Sequence, residues 1–192
     1  MARSHGHGTS RAVESAHAPT FAITYDFKGF LEILRDDADA ARRTAEATVA
    51  LSREHGLALY LALGALLSAW TRAKLGDREA GLVEFRQALA HYASQGNKVL
   101  LPFYQGLLAE IETEGRVAEA ALAEIDEALA LAGETGEHWF DAGLHRIRGE
   151  ILLKQNPADP AAAEAAFLAA IAVAQQQKAR SFELREIGRA HV

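Results

Sequence analysis

The chain has 192 residues, 49% hydrophobic and 24% charged, with 20 Lys and Arg against 26 Asp and Glu and no cysteine. This is globular composition with enough apolar residues for a sizeable core, which excludes a disordered chain, and the net charge of −6 has the wrong sign for a protein that binds by neutralising phosphates, so no nucleic acid partner is expected. Without thiols there are no disulfides, thiolate metal sites or cysteine nucleophiles, and a reducing compartment is permitted, with the cytoplasm as the expected location.

In chain order, residues 1–18 open with MARSHGHGTS. That string is too glycine-rich for a helix and has no apolar core of a secretory signal, so an irregular segment is expected there. From residue 19 the pattern is one of helix pairs, a first helix A and a second helix B. The first pair, about 19–56, turns near Asp36 and Asp37, with Asp37 able to cap a B helix that carries Ala41, Ala45, Thr48 and Val49. The second, about 57–96, begins with the most apolar run, LALYLALGALL, and turns at Gly76 and Asp77 into Gly81, Phe85, Ala88 and Leu89. That run is far short of the roughly 20 residues that span a bilayer, and Arg72 and Lys74 soon follow it, so a buried helix is expected and no membrane partner. The third pair, about 97–136, turns near Gly115 and Arg116 into Ala121, Ile125, Ala128 and Leu129. The fourth, about 137–179, has its A helix in EHWFDAGLHRIRGE and its turn in QNPADP, where Asp159 before Pro160 forms a helix start. Its B helix carries Ala163, Phe167, Ala170 and Ile171, and a fifth unit starts at 180–185.

Three series share one register of 40 residues. The B-helix motif recurs at Ala41, Gly81, Ala121 and Ala163, the last displaced by the longer QNPADP loop. Gly29, Ala69, Ala109 and Gly149 supply small residues that let helix A approach its partner B, and Gly56, Gly96 and Gly136 stand where B helices end in a left-handed cap. Phe85, Ile125 and Phe167 fill the space between successive pairs. One pair cannot bury its own apolar face, so the units must stack. The expected fold is all-α: a right-handed α-solenoid of about four antiparallel helix pairs.

The B helices GLVEFRQAL and AEAAFLAAI, with their alanine, aromatic and alanine–aliphatic positions, resemble the tetratricopeptide repeat. The resemblance covers Phe21 to Arg185. It departs in period, 40 against the usual ~34, and in lacking most of the first-helix Trp and Tyr positions. HWFDAGLHRIRGEILL, followed by an NP-containing turn, is similar to the C-terminal repeats of large bacterial signalling proteins. Those carry a nucleotide cyclase, winged-helix or LuxR-type output domain and an AAA-type ATPase. Their equivalent helix reads E-L-x-R-L-x-G-E, so Gly143 stands where an acid is common. The resemblance implies a non-enzymatic interaction or regulatory module, a fragment of a larger bacterial signalling or transcription-regulatory protein. Its partner would be a protein or peptide, or another domain of the same parent chain. The closing EIGRAHV matches an in-frame translation of a common sequencing adapter, and 186–192 is therefore taken as a non-native tail, so Arg189 and His191 enter no site argument.

No catalytic, cofactor or metal site is expected. His138, Asp141 and His145 fall at i, i+3 and i+7 and would share a helix face, but a fourth ligand is missing and no HExxH spacing occurs, so they are assigned as polar trim of a packing helix. His5 and His7 are a weak chelating pair in a tail. Ser52, Ser68, Ser94 and Ser181 lie outside any G-x-S-x-G elbow. Glu110 and Glu150 stack in successive A helices as groove acids rather than a catalytic pair. In tetratricopeptide-like arrays the A helices line the concave surface, and the resemblance places there the residues that follow the small series, Phe30, Trp70, Glu110 and Glu150. One turn earlier lie Asp26, Leu66, Gly106 and Arg146. The expected binding groove is thus Asp26, Phe30, Leu66, Trp70, Phe103, Glu110, Arg146 and Glu150, apolar at one end and charged at the other. Assignment of Phe30 and Trp70 to the core stands level with it. A second functional reading is a small-ligand sensor with its ligand near Trp70 and Phe103.

Overall fold

The computed structural model describes residues 6–113 and 118–187. Among these, all regular structure is helical: α1 (Gly6–Leu34), α2 (Ala38–His55), α3 (Ala58–Lys74), α4 (Arg78–Ser94), α5 (Leu101–Thr113), α6 (Ala118–Thr135), a 3₁₀ turn (His138–Phe140), α7 (Asp141–Gln155), α8 (Ala161–Gln176) and α9 (Arg180–Ile187). None of the described helices is long and apolar enough to cross a membrane. The chain divides into two compact units, Met1–Ser94 and Gln95–Val192. In each, helices pack against their sequence neighbours in order, the arrangement of an α-solenoid.

In the first unit α2 packs between α1 and α3, α3 packs on α4, and the two A helices α1 and α3 touch. The Asp37 carboxylate accepts from the Ala40 amide at 3.0 Å and starts α2, which ends at Gly56 with φ 65°. Lys28 of α1 donates to Thr44 of α2 at 2.6 Å and pairs with Glu32. Two glycines set the helix separations. A Cβ on Gly29 would lie 2.6 Å from Leu67 Cδ2, so this residue admits the neighbouring A helix α3; the sequence-based expectation that it admits its partner B helix does not hold. A Cβ on Gly81 would lie 2.5 Å from the Ala73 backbone nitrogen, so α3 and α4 approach through main chain.

In the second unit α6 packs on α5 and α7, α8 on α7 and α9, and α7 also meets α5 and α9. Gly149 here does serve its partner B helix, because a Cβ would lie 2.7 Å from the Phe167 ring of α8. The B-helix motif residues Ala121, Ile125, Ala128, Ala163, Phe167 and Ala170 are all buried. Gly136 takes φ 75° after α6, as a left-handed terminus requires.

Three boundaries differ from the sequence expectation. The segment 1–18 was expected to be irregular, yet α1 runs back to Gly6 through Pro19, and Ala18 is fully buried. Once the packed part of α1 is nucleated, each further residue adds one hydrogen bond, and the alanines and charged residues preceding Pro19 are good helix formers. Helix α8 starts one residue later than Asp159–Pro160 implied: Pro160 is the boundary residue, and the Asp159 carboxylate lies 3.4 Å from the Ala161 amide. Of the closing EIGRAHV, Glu186 and Ile187 continue α9; residues 188–192, like the expected turn at Gly115 and Arg116, lie outside the described residues.

The glycine geometry separates two kinds of Gly→Ala change. Gly81→Ala should destabilise by roughly 1–3 kcal/mol, because the obstructing atoms are backbone and α3 and α4 must move apart. Gly133→Ala in α6, where a Cβ meets nothing within 4 Å, should stabilise by about 0.5–1 kcal/mol through helix propensity alone. Urea midpoints of the two variants, shifted in opposite directions, check the assignment.

Candidate functional site

The eight expected groove residues separate into three groups. Leu66, Trp70 and Phe103 belong to the cores of their units and not to an open groove, which corrects the expected site, and Gly106, one turn before Glu110, is buried as well. The Trp70 side chain is 2% exposed and among the largest fully buried groups. Helix α3 has α1, α2 and α4 packed around it, and a large apolar ring on a helix with three neighbours turns inward. Lys74 lies 5.8 Å from the indole centroid and bridges to Asp36 at 3.0 Å. Phe103 is central to an aromatic cluster of the second unit, 5.1 Å from Tyr104, 5.2 Å from Trp139 and 4.8 Å from Phe140 between ring centroids. A Cβ on Gly106 would lie 2.6 Å from Leu144.

Asp26 and Phe30 of α1 are half-buried. Burial pushes the Asp26 carboxyl up from its ordinary 3.8 to about 6. Because the folded value is the higher one, this group favours folding most below pH 3.8, and that contribution is lost as pH rises through about 6. Asp26→Asn is therefore expected to raise the urea midpoint at pH 7.5 and to leave a smaller difference at pH 4. A variant that lowers the midpoint at pH 7.5 would contradict the burial argument.

The other three groove residues form one constellation in the second unit. Arg146 Nη1 donates to Glu110 Oε1 at 3.1 Å and to Glu150 Oε1 at 3.0 Å. Glu110 follows the buried Ala109 on α5, and Arg146 and Glu150 are an i, i+4 pair on α7. The Arg146 side chain is 6% exposed, whereas the side chains of Glu110 and Glu150 keep 28% and 24%. A guanidinium so far out of water requires compensating charge, and the two carboxylates supply it. The repeat register brought Glu110 and Glu150 onto neighbouring A helices. The i−4 spacing of Arg146 from Glu150 was the available signal for the link between them.

The chemically dense stretch Glu137–Glu150 is otherwise engaged in structure. Both Glu137 carboxylate oxygens accept from the Leu100 amide at 2.9 Å, fixing the turn before α5, where Leu100 has φ 64°. His138 Nδ1 lies 2.7 Å from Asp141 Oδ2. His145 is held below its usual range chiefly by burial; Asp141 opposes this shift and Arg148 adds to it. Among the described residues no three His, Asp or Glu side chains converge as a metal cage.

The first unit also holds two clefts that the repeat register does not predict. A cleft of about 420 Å³ lies over α3 between α2 and α4, lined by Val49, Arg53, Leu61, Ala65, Glu84 and Ala88 among others. A second, of about 320 Å³, lies further along α3 at Arg42, Glu46, Thr71 and Arg72, and Ser68 lines both. Leu61, Ala65, Ser68 and Arg72 repeat at helical spacing and could have signalled an exposed mixed face of α3. Arg72 closes the far side by pairing with Asp77 and Glu84.

No protein-family model matches the chain, and no solved structure matches it. An uncharacterized protein of Rhizobium meliloti is 25% identical over 180 residues, which cover 90% of this chain and 17% of that relative. The chain thus spans a small part of the length of the bacterial protein it matches.

Proposed function

We propose that the chain is a tetratricopeptide-like, non-enzymatic interaction module that binds a protein or peptide segment on its A-helix face. It would act in the cytoplasm as one part of a larger bacterial signalling or regulatory protein, and its ligand could be another domain of that same protein. The observation that carries this reading is the Glu110–Arg146–Glu150 constellation. A buried arginine holds two partly exposed carboxylates of neighbouring helices in fixed positions, a preorganised acceptor for a Lys or Arg side chain of an extended partner. The length of the Rhizobium relative is in keeping with a module inside a larger protein.

Selection of displayed peptides against the purified chain tests the proposal. Enriched peptides should carry Lys or Arg and should bind the Glu110→Gln, Glu150→Gln double variant about tenfold more weakly. Peptides that bind both proteins equally, or a selection yielding no saturable binder, would sink it.

A second reading, a small-ligand sensor, has the cleft of about 420 Å³ over α3 in its favour. Trp70 and Phe103, near which the sequence places such a ligand, are enclosed side chains in different units. A metabolite screen by thermal shift separates the readings: saturable stabilisation that Ala65→Trp abolishes supports the sensor.

A further inference from the structure

Helix α1 carries a face that the same register buries elsewhere. Ile23, Phe27 and Leu31, at i, i+4 and i+8, are 42%, 63% and 61% exposed. Phe30 and Leu34, half-buried, adjoin them on the same side of the helix. Single exposed apolar residues are ordinary, but a contiguous stripe of this size on a helix is not. Advancing by 40 residues gives Leu63, Leu67 and Thr71 on α3, all no more than 5% exposed. Advancing by 120 gives Gly143, Ile147 and Ile151 on α7, all buried as well.

The coverings of those two helices identify what fits α1. Leu67, the equivalent of Phe27, packs on Gly29 of the preceding A helix. Gly64, the equivalent of Thr24, faces Thr48 and Val49 of the preceding B helix at 3.1 and 3.0 Å from a built Cβ. In the second unit a Cβ on Gly106 of the preceding A helix would lie 2.6 Å from Leu144 and 3.5 Å from Ile147, the equivalent of Leu67, and α6 packs along α7. In each case a preceding helix pair lies along the stripe, with a glycine of its A helix in contact with it.

We propose that the Ile23–Phe27–Leu31 face of α1 is a stacking seam that binds another helix pair of the same pattern, its A helix placing a small residue against Phe27 and its B helix running past Thr24. The relative, of which this chain matches only 17%, has ample length for such a pair. Thr24 already satisfies its hydroxyl within α1 by donating to the Thr20 carbonyl at 2.8 Å, so covering it leaves no donor stranded. The seam lies in the first unit and is independent of the carboxylate constellation in the second.

A labelled peptide copying residues 19–56, the pair that covers α3, serves as the probe against the full chain. Saturable binding is expected, with a gain of helical circular dichroism on mixing. Phe27→Asp with Leu31→Asp in the chain should weaken it about tenfold or more, while the chain's own melting temperature stays within a degree or two, because both side chains are already exposed. A Gly29→Leu peptide should also fail, since it cannot approach closely. Equal binding by the double variant or by the Gly29→Leu peptide would overturn the proposal, as would no binding at all. So would a Phe27-dependent dimer of the chain alone in sedimentation, which would assign the face to a second copy.

Discussion

Trp70→Ala is expected to lower the unfolding free energy by about 3–5 kcal/mol, the cost of emptying a buried aromatic site that the backbone cannot fully collapse around. The indole is 2% exposed on a helix with neighbours α1, α2 and α4, so nearly its whole surface is removed from water. Lys74 over the ring adds a smaller cation–π contribution at its rim. The groove reading of the repeat register makes the opposite prediction, a binding defect with unchanged stability, whereas the core reading that stands level with it predicts this loss. Urea denaturation followed by far-UV circular dichroism distinguishes the two: an unchanged midpoint would return Trp70 to the surface. Trp70→Phe should recover more than half of the loss, because the site demands apolar volume rather than the indole N–H.

Arg146→Met is expected to destabilise by roughly 2–4 kcal/mol, somewhat below the range for breaking a fully buried ion pair because Glu110 and Glu150 keep part of their hydration. The loss comes from two carboxylates left close together without their shared cation. Glu110→Gln and Glu150→Gln singly should cost less, because the other carboxylate still balances Arg146. The triple variant with methionine at 146 and glutamine at 110 and 150 should be more stable than Arg146→Met alone, since it neutralises both carboxylates that have lost their shared cation. Denaturant midpoints of these four variants, each measured against the parent chain, test the coupling, and strict additivity would show that the three side chains do not act as one group.

The helix pairs were legible because their signals are local. Asp37 caps α2 through its own carboxylate, and Gly56 and Gly136 adopt the left-handed conformation that ends α2 and α6. The buried B-helix positions Ala121, Ile125 and Ala128 follow from helical spacing. The register also brought Glu110 and Glu150 to neighbouring helices. It leaves the outcome open where side-chain size decides it: Trp70, Glu110 and Glu150 occupy equivalent positions, yet the indole turns into the core while the carboxylates stay at the surface, held by Arg146. The helical state of residues preceding Pro19 was missed because glycines near the terminus outweighed the helix propensity of the alanines and charged residues between them and the proline.

The sequence by itself determined the all-helical class, the helix pairs, their 40-residue spacing and most of their caps, since all of these rest on propensity and periodicity within a few turns of chain. Only the tertiary structure decided which faces see solvent. Exposure depends on which helices crowd a given arc: α3, enclosed by three neighbours, hides Leu63 and Leu67, while α1 leaves Ile23 and Phe27 in water at the same register. A repeat pattern is the same in every unit, whereas burial is set by what is stacked against each one.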